Sequence, residues 1–127
     1  MIETQIAKEL IVLRMIGRIT VRDWQGVTAA FEDAGDVGLG LHLRRHGSGT
    51  LSVLMDWEDL EGWEEGARTA CTTFCMGYQD LVRRIAVVGS DAWRNEGERL
   101  ADVYRLAQVS FFPPSSRDAA MAWLEGR

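Results

Sequence analysis

The sequence predicts an α/β fold, with a mixed sheet of about five strands in the element order β-β-α-β-α-β-α-β-α, flanked by helices. Three observations carry this. Ile85-Ala86-Val87-Val88 is an unbroken apolar run that reads as a strand buried on both faces, followed by Gly89-Ser90-Asp91 turning into a helix. Over 63–81, Trp63, Ala67, Ala70, Cys71, Phe74, Tyr78 and Leu81 recur at spacings of 4, 3, 1, 3, 4 and 3, a single helical stripe. A last strand, 108–112, is stopped by Pro113-Pro114.

The remaining elements follow in order. Residues 2–7 and 10–16 carry strand-type apolar residues around a Lys8-Glu9 connection, an opening antiparallel hairpin. Thr20 caps a helix from Val21 to Ala34, with Asp23 at capping-box spacing and Trp24, Val27, Thr28 and Phe31 packed on one side. Segment 35–49 is glycine-rich yet alternates Leu39, Leu41 and Leu43. It is compatible with a short helix ended by Gly47, an edge strand or an irregular excursion. A strand over 50–55 closes on Asp56, and 57–62 reads as an acidic connecting loop. The central strand spans 84–89, and a helix over 91–106 aligns Trp93, Gly97, Leu100, Ala101 and Tyr104. Ser115 or Ser116 caps a final helix packed through Ala119, Ala120, Trp123 and Leu124. Right-handed crossovers make the last three strands parallel.

The 127 residues fit one domain over 1–127, with 46 % hydrophobic and 26 % charged residues. A net charge of −5 argues against a nucleic-acid surface, which needs clustered cations to displace counterions. Neither a signal-peptide pattern nor a membrane-length apolar run is present, so the expected location is cytoplasmic. Cys71 and Cys75 sit four apart on one helix, where a disulfide is geometrically poor, and read as small buried residues.

Four segments resemble a known group. Leu54-Met55-Asp56 with Leu60-Glu61-Gly62-Trp63, Arg84 to Gly89 with Trp93, Phe111-Phe112-Pro113, and Ala119-Ala120 to Trp123-Leu124 are similar to the SpoIIAA-like family of small bacterial proteins, related to STAS domains. The resemblance covers most of the chain but not 35–49. It implies that fold, and binding rather than catalysis, since relatives include partner-switching regulators and lipid-carrying domains of the CRAL-TRIO type. In the sporulation regulators, a serine at the start of the helix after the third strand is phosphorylated. The matching Glu61-Gly62-Trp63-Glu64-Glu65 holds no hydroxyl, and its carboxylates already complement the positive helix end.

The ligand-binding candidates are Trp63, Phe74, Tyr78, Gly89, Ser90, Trp93, Leu100 and Tyr104. The aromatic and leucine side chains would line an apolar pocket between helices 63–81 and 91–106, with Gly77 and Gly97 loosening a helical lid. Ser90 and neighbouring amides would hold a polar head group. The expected occupant is a small apolar or amphipathic, lipid-like molecule, with transient association at membrane surfaces, and so many aromatics also admit a homodimer. The alternative is a regulatory protein-interaction module without a phosphoserine switch.

No catalytic residue and no cofactor are expected. Asp56 and Asp59 stand at a strand end without a patterned histidine or nucleophile. His42/His46 with Cys71/Cys75 match zinc chemistry, but not the usual order or spacing of a zinc site, so no metal is expected. Arg83-Arg84 and Arg44-Arg45 read as solvated surface.

Overall fold

A computed structural model describes residues 1–7, 9–37, 51–78, 81–104 and 107–126, with 33–37 as backbone alone. Strands β1 (Ile2–Ala7) and β2 (Leu10–Ile19) form the expected antiparallel hairpin, in register from Ile2 opposite Met15 to Ala7 opposite Leu10. Beyond β2 follow helix α1 (Val21–Val37), strand β3 (Leu51–Trp63), helix α2 (Ala67–Tyr78) and strand β4 (Val82–Val88). A 3₁₀ turn (Asp91–Trp93) leads into helix α3 (Arg94–Val103), then strand β5 (Gln108–Phe112) and helix α4 (Arg117–Leu124). The five strands lie in the order β1-β2-β3-β4-β5, and β2 joins the predicted parallel set, so four strands run the same way.

Strand order equal to chain order means that each right-handed crossover moves in the same direction and returns over the same face. Helices α1, α2 and α3 therefore share one side, while α4 has the other. Strand alternation divides the core accordingly. Ile85 and Val87 of β4 enter the large core with Trp24, Phe31, Phe74 and Leu100. Ala86 and Val88 face Ala120 and Leu124 of α4. Burial on both faces is what the apolar run at 85–88 predicts.

The capping box at α1 forms. The Thr20 amide donates to Asp23 Oδ2 at 2.8 Å, and the Asp23 amide donates to Thr20 Oγ1 at 3.2 Å. Burial raises the Asp23 pKa, but the bonds from Thr20 and the nearby Met1 amine outweigh it, so the net shift is downward from 3.8. A carboxyl held lower when folded stabilises fully above its unfolded value and loses that contribution as pH falls through its folded value. Asp23→Ala should thus cost about 1 kcal/mol at pH 7. In urea titrations the gap to the parent should close as pH drops below 3.8. A cap-independent helix would show no such convergence. Further along α1, a Cβ built on Gly26 meets nothing within 4 Å. Gly26→Ala should raise stability by about 0.5–1 kcal/mol in the same titrations, through propensity and a less free unfolded chain.

Segment 57–62, expected as a loop, is strand. Register shifts near Arg14 and Gly17 let β3 continue through Asp59, Leu60, Gly62 and Trp63 beside Ile16, Gly17, Arg18 and Ile19. The bulge breaks the period-two alternation that marks a strand. Its acidic side chains are tolerated because arginines from β2 and α4 meet them: Arg14 pairs with Asp59 at 2.8 Å and Arg117 with Glu58 at 3.0 Å. With β3 running to Trp63, the helix expected over 63–81 begins at Ala67, after a turn in which Gly66 has a φ of +82°. The helix expected over 91–106 is a 3₁₀ turn followed by α3, ending at Val103. The central strand runs from Val82 to Val88 and leaves Gly89 in the turn. Residues 35–37 extend α1, whereas 38–50, with His42, His46 and Arg44-Arg45, lie outside the described residues.

Arg83 and Arg84 do more than solvate a surface. Arg83 Nη2 donates to the Leu124 carbonyl at 3.0 Å, Arg84 Nη1 donates to the Trp123 carbonyl, and Ser52 Oγ donates to Leu124 at 3.2 Å. These groups satisfy carbonyls left open at the end of α4 and set positive charge at its negative pole.

Candidate functional site

Helix α2 packs between α1 and α3, and each flank has a concavity. The two differ in chemistry.

On the α1 side a groove of about 560 Å³ is floored by Trp24, Phe74 and Tyr78, with Val21, Thr28 and Thr73 among its lining residues. The floor is a continuous aromatic cluster. Phe74 lies 5.3 Å from Trp24, 5.0 Å from Phe31 and 4.9 Å from Tyr78 between ring centroids, within the range of favourable aromatic pairs. Its rim is mostly short side chains, with Ala29, Thr69 and Thr73 exposed, and Gln25 and Glu32 are its longer exposed members.

On the α3 side lies a smaller cavity of about 190 Å³. Trp57 and Trp63, both from β3, meet edge to face with centroids 5.7 Å apart, and Leu100 and Val103 of α3 also line it. At its margin Arg68 Nη2 bonds Glu96 Oε1 at 2.6 Å. Arg99 lines the same cavity and has no ion-pair partner among the described residues. The indole N–H groups of Trp57 and Trp63 are buried and find no protein acceptor, as does that of Trp24 on the groove side. A buried donor left unpaired typically costs about 1–3 kcal/mol. An edge-to-face pair lets at most one of its two N–H groups point at the other ring, so at least one of the two stays unsatisfied.

Between the cavity and the sheet, Cys71, Cys75 and Tyr104 form a buried hydrogen-bonded set. Donation of its S–H to Cys75, and then burial, push the Cys71 thiol well above its usual value. Burial first, then Cys75, pushes the Tyr104 hydroxyl far above the phenol range. Both cysteines are free thiols, as their helical spacing requires.

The structure separates the eight candidate ligand residues. Trp63 and Leu100 meet at the α2–α3 cavity. Phe74 and Tyr78 lie on the opposite flank of α2, because its apolar stripe is wide enough to serve both neighbours. Tyr104 is buried behind the cavity, and Trp93 packs against the large core from the 3₁₀ turn. Gly89 is a close approach: a Cβ there would lie 3.2 Å from Trp57 Cβ. Ser90 is exposed and precedes a three-residue 3₁₀ turn with Asp91 in it, which is no anion cradle at the head of a long helix. Gly97 is wedged against Phe111 and Val87, so the expected loose lid is a seated helix.

Trp57, Arg68, Arg99 and Val103 escape the sequence reading. Trp57 is hidden in a segment that looks like a loop. The rest carry a signal only once α2 and α3 are neighbours: Arg68, Cys71 and Thr72 share one helical face, as do Glu96, Arg99, Leu100 and Val103.

Asp56, the catalytic address considered from sequence, is committed elsewhere. It is 3 % exposed, accepts from the Glu58 amide at 3.0 Å and pairs with Arg117 at 2.5 Å. Among the described residues, no group of three or more His, Cys, Asp or Glu could hold a metal ion. No described helix is long and apolar enough to cross a membrane.

No curated protein matches the chain. Two solved structures share its fold. One is an uncharacterised protein with a SpoIIAA-like fold from Shewanella loihica PV-4, with a TM-score of 0.72 and 18 % identity over 98 % of this chain and 92 % of that one. The other is the anti-sigma factor antagonist SpoIIAA in its unphosphorylated form, with a TM-score of 0.60 and 11 % identity over 100 % of both chains. The SpoIIAA-like family model matches residues 10–125. The sequential sheet, the three helices on one face and this match over nearly the whole chain agree: the chain belongs to the SpoIIAA-like family.

Proposed function

We propose that this chain is a regulatory protein-interaction module that receives its partner in the groove between α1 and α2. The observation that carries this is the aromatic floor of Trp24, Phe74 and Tyr78 under a rim of mostly short side chains, a shape that accepts side chains from a docking helix. The anti-sigma factor antagonist SpoIIAA, a structural neighbour, acts by name on another protein, which supports the same class of role. The module works without a phosphoserine. The turn into α2 is Glu64-Glu65-Gly66, whose carboxylates supply fixed negative charge at the helix start.

A photo-crosslinking residue at Thr28 or Thr73 tests this in the native host, with the same residue at Gln5 on the opposite sheet face as control. Groove positions should capture one defined protein, Gln5 should not, and phosphatase treatment of the lysate should leave the yield unchanged. Ala70→Arg, filling the groove from α2, should abolish capture while the circular dichroism spectrum is kept. Equal capture from Gln5, or none from the groove, overturns the reading.

A second reading, a small amphipathic ligand held between α2 and α3, is favoured by the apolar corner of Trp57, Trp63, Leu100 and Val103 beside Arg99, which has no ion-pair partner among the described residues. The size of the cavity there sets the scale of the occupant. At about 190 Å³ it lies below the ~300–1,000 Å³ of sites for drug-sized ligands, so a long lipid chain does not fit inside it.

A further inference from the structure

We infer that the α2–α3 cavity takes a small aromatic monocarboxylate, an inference that rests on the second reading above and names its ligand class. Volume comes first. A dry cavity of about 150 Å³ admits benzene, so about 190 Å³ accommodates one ring with a short acidic substituent. The walls come next. Trp57 and Trp63 present an edge-to-face corner, and Leu100 and Val103 close it from α3. A flat ring packs into such a corner with offset or edge contacts.

Polarity then selects the substituent. Arg99 lines the cavity from an exposed position and has no ion-pair partner among the described residues, whereas the indole N–H groups of its two tryptophan walls are sealed from solvent. The other charges at the mouth, Arg68 and Glu96, neutralise each other at 2.6 Å. The open site therefore carries one net positive charge and no unpaired carboxylate. A carboxylate fits Arg99, because it offers the guanidinium both a counter-charge and paired acceptor oxygens. A neutral aromatic would satisfy the walls and leave Arg99 without its counter-charge. A cation would be repelled by Arg99.

The test uses the five indole N–H signals of the whole protein in ¹⁵N-resolved NMR, those of Trp57, Trp63 and Trp24 being assigned through Trp57→Phe, Trp63→Phe and Trp24→Phe. Phenylacetate is titrated against phenylacetamide, a neutral probe of the same shape. Phenylacetate should shift the Trp57 and Trp63 signals saturably and leave Trp24, on the far flank of α2, in place. Arg99→Gln, a substitution at an exposed position, should weaken phenylacetate about tenfold and leave phenylacetamide unchanged. Equal binding of both probes, or indifference to Arg99→Gln, overturns the carboxylate inference while the ligand reading stands. If neither probe moves Trp57 or Trp63, the ligand reading fails as well.

Discussion

Gly97→Val is expected to destabilise the protein by about 3 kcal/mol, although any side chain in the interior of a helix should improve on glycine by several tenths of a kcal/mol or more. Contact geometry decides the sign. A Cβ at Gly97 would stand 2.6 Å from Phe111 Cδ2, closer than carbon atoms tolerate, and a tight 3.3 Å from Val87 Cγ1. The Phe111 ring has little freedom to retreat, because it packs against the core on one side and Arg94 stacks over it at 4.9 Å. Valine would force α3 away from β4 and β5. Gly97→Ala should fall in the same direction but shorter, near 1 kcal/mol, as propensity offsets part of the clash. Urea midpoints check both, with Gly26→Val as the control in open space. A Gly97→Val protein as stable as its parent would mean that α3 is not seated as described. The same contact seats the helix that supplies Leu100 and Val103 to the α2–α3 cavity.

How much of this was legible in the residues depends on which interactions encode it. The strand at 85–88 and the stripe on α2 are written in local apolar periodicity, and the Thr20–Asp23 cap in two residues three apart; all three stand in the structure. The strand at 57–63 is not local information. Its residues are polar because arginines on β2 and α4 face them, and its period is broken by a bulge whose reason lies in β2. Misplacing that strand displaced the start of α2 by a turn. The candidate pocket residues are divided between two flanks of α2 for a related reason. A helix stripe states that a face is buried but not how many neighbours share it, and only the strand order places α2 between α1 and α3. Phe74 and Tyr78 therefore left the group that Trp63 and Leu100 keep, while Trp57, Arg68 and Arg99 entered it.

Arg117→Met is expected to cost about 2–3 kcal/mol, and the double variant Asp56→Asn Arg117→Met about 1 kcal/mol less than that. Arg117 opens α4, where the helix dipole disfavours a cation, so its place needs another cause. That cause is Asp56, buried within β3 beside the last residue of β4, with a single backbone donor, the Glu58 amide, besides Arg117. Removing the guanidinium leaves a buried carboxylate close to Glu58 with most of its lone pairs unmatched. A fully buried pair broken this way costs about 3–5 kcal/mol, and the estimate here is lower because Arg117 is 40 % exposed. Asparagine at position 56 removes the charge, so the second substitution relieves part of the penalty of the first, and a double-mutant cycle measures that coupling directly. A single-variant cost within the ~0–1 kcal/mol of ordinary surface pairs would show that Asp56 does not depend on Arg117. The expected result instead makes this pair the electrostatic tie that fixes the first turn of α4 to β3, with Arg83, Arg84 and Ser52 holding its last turn from the opposite strand ends. Asp56, which the sequence offers as a strand-end catalytic address, lies within β3 and is accounted for by the docking of α4 on the second face of the sheet.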